Sequence, residues 1–147
     1  NTVAKSRHPL LRGTGYFAVL AARLDATADL WHDLELLYIG ASFERNMRRG
    51  IAAACDDDDG VIVSAGAASR VAAEGRELVV MLGEQTETTL KRVPRGFNID
   101  VAHCLVYRHR PTLNPPPAGP YAGRKISVIN RGDYAPLMPK CLLRPQL

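Results

Sequence analysis

NIDVAHCLVYRHRPTLN, residues 98 to 114, decides how the rest of the chain is read. Asn98 is a residue type that caps helices, and Ile99, Leu105 and Val106 set an apolar stripe at roughly helical spacing behind it. Pro111 stops that helix, because its ring disfavours the α conformation at the preceding residue and removes a backbone donor. Thr112, Leu113 and Asn114 must therefore turn away, leaving Asn114 near the helix end. By itself this is an amphipathic helix with a proline stop. Its meaning comes from what precedes it.

A chain of 147 residues fits one domain, large enough to bury roughly two thirds of its unfolded surface without metal or disulfide help. Cys55, Cys104 and Cys141 form no CxxC pair and cannot all be bridged, so a reducing, intracellular setting (cytoplasmic or nuclear) is expected. No apolar run reaches the length of a membrane span, Arg70 interrupts the most alanine-rich stretch, and the first residues do not resemble a secretory signal. No membrane partner is expected. The net charge of +4 permits a polyanionic partner without requiring one. Residues 115–147 hold Arg124, Lys125, Arg131, Lys140 and Arg144 against Asp133 alone, which accounts for the whole excess. Any basic footprint elsewhere must come from local clustering.

Residues 1–14, with Lys5, Arg7, His8 and Arg12, read as an extended basic arm. Tyr16 to Ala22 and Leu34 to Gly40 are apolar, and the polar stretch Arg23 to Asp33 between them predicts an antiparallel pair of strands. Ser42 is a candidate N-cap for a helix over Phe43–Ala54, whose apolar face is Phe43, Met47, Ile51 and Ala54 and whose outer face carries Arg45, Arg48 and Arg49. Asp56 to Asp59 read as a solvated loop, since adjacent carboxylates lack the alternation of a calcium loop. Val61 to Val63 is either a short strand or the approach to a helix over Ser64–Glu74 that ends at Gly75. Glu77 to Leu82 reads as a central strand, followed by a short helix between Glu84 and Lys91. Beyond Asn114 lie seven of the ten prolines, a possible edge strand at Arg124–Asn130 and a turn at Arg131-Gly132-Asp133. That proline-rich tail is either an arm packed across the domain or a basic partner-binding extension.

The fold class these readings give is α+β. Gly15-Tyr16-Phe17, Tyr38-Ile39-Gly40, Arg48, then Leu105-Val106 with Pro111 and Asn114, resemble in order the GIY-YIG nuclease family over residues 15–114. The final segment is most similar to the N-terminal incision domain of bacterial nucleotide-excision-repair nucleases. The resemblance implies a small mixed, mostly antiparallel three-stranded sheet flanked by helices. It also implies a metal-dependent endonuclease that hydrolyses phosphodiesters, DNA more readily than RNA, with one Mg2+ or Mn2+. Tyr38, flanked by cation and metal, would have its pKa lowered and take a proton from the attacking water. Arg48 would hold the nonbridging oxygens, and Asn114 would fix the cleft wall. Arg45 and Arg49 would contact flanking phosphates, giving affinity without sequence readout. Tyr16 joins Tyr38, Arg48 and Asn114 as a catalytic candidate, and Phe17 and His109 join Arg45 and Arg49 as substrate-binding ones. Tyr38, Arg48 and the N-terminal part of the proline-stopped helix are expected to converge on one phosphate-sized hollow.

Two positions depart from the pattern. Ala102 stands three residues before Leu105, where the family has its metal-binding glutamate, and a methyl group holds no cation. Phe17 stands where the family's first tyrosine belongs; Tyr16 is one residue early and on a strand faces the opposite side. Asp100 points about 160° from Ala102 on a helix and cannot replace it. Ala102 admits three explanations: a deliberate inactivating change, a natural binding module that has lost catalysis, or a likeness that reaches only the fold.

Overall fold

A computed structural model describes residues 6–146, so the part of the basic arm that contains Lys5 lies outside the described residues. The sheet is built around YFAVLAA. Eight consecutive residues from Gly15 are buried, and small side chains at Ala18, Ala21 and Ala22 let layers approach from both sides. This strand, β1 (Gly15–Asp25), is the middle one; β2 (Leu30–Ser42) and β3 (Glu77–Gly83) flank it in the order β2-β1-β3. Both pairings are antiparallel, so the sheet is not mixed. The strand predicted to be central, Glu77–Leu82, is an edge: six of the seven residues of β3 are only half-buried. An apolar run reads alike in either position.

The polar connection predicted at Arg23–Asp33 is shorter than expected. The hairpin runs on to Asp25 and resumes at Leu30, because the Asp25 carboxylate accepts from the Thr27 and Ala28 N–H groups (3.0 and 3.3 Å) and closes the turn itself. Asp29 and Asp33 take left-handed φ values of 52° and 54°, which aspartate tolerates better than most residues. A register shift next to Val19 pairs that residue with Tyr38 and Leu20 with Leu36. Leu37 is the extra residue, and as a bulge it turns Leu37 and Tyr38 to the same face of the sheet.

Alternation along β1 divides the core in two. Phe17, Val19 and Ala21 face one layer with Leu11, Leu37, Met47, Ile51, Ile62 and Val71. Its helices are α1 (Met47–Cys55), α2 (Val61–Ser64) and α3 (Ala67–Ala73). The cap predicted at Ser42 falls to Asn46, whose side chain accepts from the Arg49 N–H at 3.0 Å. Buried Ser42 instead donates its hydroxyl to the carbonyls of Arg45 and Asn46 (2.7 and 3.0 Å), folding the turn that delays α1 by four residues. Phe43 consequently leaves the helix and packs edge-on against Tyr16, with ring centroids 5.1 Å apart. Val61–Val63 is helical, and Gly66 (φ 63°) separates α2 from α3. On the sheet side of α3, Glu35 bonds both Arg70 (3.0 Å) and Arg76 (2.9 Å), tying β2 to the entrance of β3.

Tyr16, Ala18, Leu20 and Ile39 face the second layer. It contains α4 (Phe97–His109), β4 (Ile126–Ile129) and β5 (Lys140–Leu143), the last two paired as a separate antiparallel ladder. The helix starts at Phe97 behind Gly96 (φ 79°), so Asn98 lies inside it and not at its cap. The buried stripe is Val101, Cys104 and Leu105, whereas Ile99 is 60% exposed. Residues 84–92 form no helix. Tyr121, Ile126, Cys141 and Leu143 are buried in this layer, so the tail contributes core. All three cysteines are free thiols. No described helix is long and apolar enough to cross a membrane.

Candidate functional site

Asn114 holds the clearest position among the predicted residues. Its amide accepts from the Ile39 N–H and donates to the Ile39 carbonyl, both at 2.9 Å. The Leu113 N–H adds a bond to the Leu37 carbonyl at 2.7 Å. The chain leaving α4 therefore runs along the outer edge of β2 as if it were a further strand. This clamp lies one residue after Tyr38.

Tyr38 and Phe17 meet on the α1 side, their rings 6.0 Å apart and tilted by 48°. Gly40 makes this possible, since a Cβ there would lie 2.8 Å from the Phe17 ring and 2.9 Å from the Tyr38 ring. Phe17, expected to touch substrate, is buried in the core instead. Tyr38 is half-buried, and burial first, then neighbouring Cys55, raises its phenol pKa. That direction is opposite to the one expected from a flanking cation. Cys55 is itself pushed up to about 11 by burial. Nothing in the sequence signals this Tyr38–Cys55 neighbourhood, because a helix C-terminus and a strand bulge meet there only after folding.

Tyr16 and Ala102 lie on the opposite side. Tyr16 is buried, its hydroxyl donates to the Asn98 carbonyl at 3.5 Å, and burial raises its pKa well above the ordinary phenol value. A phenol so placed is no base. Ala102 packs, half-buried, against the α4 layer. The sheet stands between Ala102 and Tyr38, so the expected convergence of Tyr38, Arg48 and the start of α4 on one hollow is not what the packing gives. His109 is held within the second layer: its Nδ1 bonds the Leu105 carbonyl (2.7 Å) and its Nε2 accepts from the Met138 N–H (2.8 Å). This fixes the Nδ1–H tautomer and ties α4 to the tail, leaving no ring nitrogen for a substrate.

The arginines cluster at one place. Arg45, in the bend just before the Asn46 cap, and Arg49, in the first turn of α1, are exposed on either side of half-buried Arg48 in sequence. The arm is fastened there at both ends: the Arg48 guanidinium donates to the Ser6 carbonyl, and the Gly13 carbonyl accepts from the Met47 N–H at 2.8 Å. Between these anchors lies the 3-10 turn Pro9–Arg12, with Leu11 buried and Arg7 and Arg12 exposed. These two links bring the stretch that contains Arg7 and Arg12 against the segment that contains Arg45, Arg48 and Arg49. The positive end of the α1 dipole points the same way. No basic motif in the sequence joins residues 7 and 12 to 45–49; only the fold does.

Position 102 offers a methyl group, and no set of three or more histidine, cysteine, aspartate or glutamate side chains is placed to hold a metal among the described residues. Set against protein-family models, curated proteins and solved structures, the chain matches none.

Proposed function

We propose that this chain is a nucleic-acid-binding domain on a GIY-YIG-like scaffold, one that grips the phosphate backbone and does not cut it. The observation that carries the reading is the arginine cluster at the first turn of α1. Guanidinium groups are suited to phosphate oxygens and give affinity without base readout. DNA, the substrate class of the incision domains that the sequence resembles, is the first candidate. The lack of cutting follows from Ala102 and from the sheet between position 102 and Tyr38. A metal-dependent endonuclease, the activity the resemblance implies, needs that ligand and that phenol on one surface.

Fluorescence anisotropy with a 20-base-pair duplex tests the reading. If the cluster neutralises three to five phosphates, log affinity falls against log salt with a slope of about −2.7 to −4.5. Arg49→Ala should weaken binding and flatten the slope by about one. Ala102→Glu with Mg2+ or Mn2+ should leave the duplex intact. Salt-independent affinity refutes the proposal, and cleavage by Ala102→Glu restores the endonuclease in its place.

A further inference from the structure

One cleft follows the β3 edge of the sheet, reached by Leu10 and Phe17 from the α1 layer and by Val101 and Leu105 from the second layer. It has a volume of about 710 Å³ and runs between β3 with the following loop on one wall and residues 125–131, including β4, on the other. Each wall contains a strand with an unpaired edge. Among the described residues β3 pairs only with β1, and β4 only with β5. Exposed edges are normally guarded by lysine, proline or a bulge, yet Leu78 to Leu82 contain none of these. On β4, the Asn130 N–H donates to the Pro139 carbonyl at 3.0 Å. The two-residue alternation of an antiparallel ladder then turns the main-chain groups of Ser127 and Ile129 away from β5.

The floor is apolar, with Ala18, Val101, Leu105 and Ile126. Around the rim, Glu84, Glu87 and Asp133 outnumber Lys125 and Arg131, and Glu87 pairs with Arg131 at 3.3 Å from wall to wall. This balance opposes a polyanion and suits a neutral or basic occupant. A strand spaced 4.8 Å from its neighbours, rising 3.3 Å per residue in a layer about 10 Å thick, fills roughly 160 Å³ per residue, so the cleft holds about four to five residues. That matches the four residues of β4.

We propose that this cleft takes an extended peptide segment of another protein, apolar at alternate positions and neutral or basic overall, which adds as a strand to the β3 or β4 edge. This is independent of phosphate binding at α1.

The probe is fluorescein-labelled acetyl-Lys-Val-Thr-Val-Thr-Val-Lys-amide, titrated into the full chain and followed by anisotropy, with amide hydrogen exchange on the same complex. Saturable binding is expected, with new protection at Ser127 and Ile129 or at residues 78–83. Ser127→Pro, which removes an outward N–H without taking a rung from β4–β5, should weaken binding about tenfold if β4 is the edge used, while Ser127→Ala should leave it unchanged. Excess twelve-residue oligothymidylate should not displace the peptide. Absence of binding at millimolar peptide, protection confined to other strands, or displacement by the oligonucleotide overturns the proposal. Should Ser127→Pro fail to fold, the exchange pattern of the unaltered chain decides the matter.

Discussion

Replacing Asn114 by alanine tests the most specific contact in the molecule. The change removes two hydrogen bonds of 2.9 Å and leaves both main-chain polar groups of Ile39, a residue only 4% exposed, without partners. Each buried group that loses its partner costs about 1–3 kcal/mol, so the pair should cost about 3 kcal/mol even if water repairs part of the loss. The Leu113 bond to Leu37 survives, which keeps the segment in place and the figure towards the lower end. For a chain of 147 residues the shift in midpoint is about 6–12 °C. Calorimetry measures that shift, and exchange of the Ile39 amide reports the clamp directly. Asn114→Asp should be at least as damaging, since it keeps an acceptor for the Ile39 N–H but sets a carboxylate against the Ile39 carbonyl. An alanine variant within about 0.5 kcal/mol of the parent, with the Ile39 amide still protected, would refute the argument.

Three further outcomes are expected. Gly40→Ala should cost about 1–3 kcal/mol by forcing a methyl group against the Phe17 and Tyr38 rings, and Phe17→Leu should recover part of the loss in a urea-denaturation cycle. Glu35 is held below the ordinary carboxylate range, first by Arg70 and then by Arg76; its contribution is therefore present above about pH 4.3 and lost as the pH falls through the lowered value. Glu35→Gln should flatten that acid limb of the stability curve. Tyr16 has its pKa raised by burial, so the neutral phenol favours the fold below about pH 10 and that contribution fades as the pH rises further. Tyr16→Phe should remove the alkaline loss, followed by circular dichroism against pH.

The hairpin, the α1 core stripe and the proline-stopped helix were legible because each rests on local chemistry: alternation, spacing and a ring that forbids a conformation. Met47, Ile51 and Ala54 are buried as their spacing predicts. What was not legible depends on partners distant in sequence. Ser42 looks like a helix cap until Gly50 presses against it, its would-be Cβ 2.5 Å from the Ser42 hydroxyl, and the same hydroxyl folds the preceding turn. The tail reads as an extension because prolines suppress local pattern, yet Tyr121 and Cys141 are buried beneath it. The side on which Tyr38 lies follows from one extra residue in β2, a bulge that strict alternation cannot foresee.

That bulge and Ala102 support each other. With Tyr38 turned to the α1 layer, a carboxylate at 102 would sit in the other layer, with Val101, Leu105, Tyr16 and Tyr121 and not with Tyr38. Placing an ionised side chain against that layer incurs a desolvation cost. Alanine suits the site as it stands. Of the three explanations for position 102, packing therefore favours a binding module whose α4 face has been taken over by the tail. A single inactivating change in an otherwise intact nuclease would have left an open, polar surface around that position, whereas Ala102 borders an apolar layer.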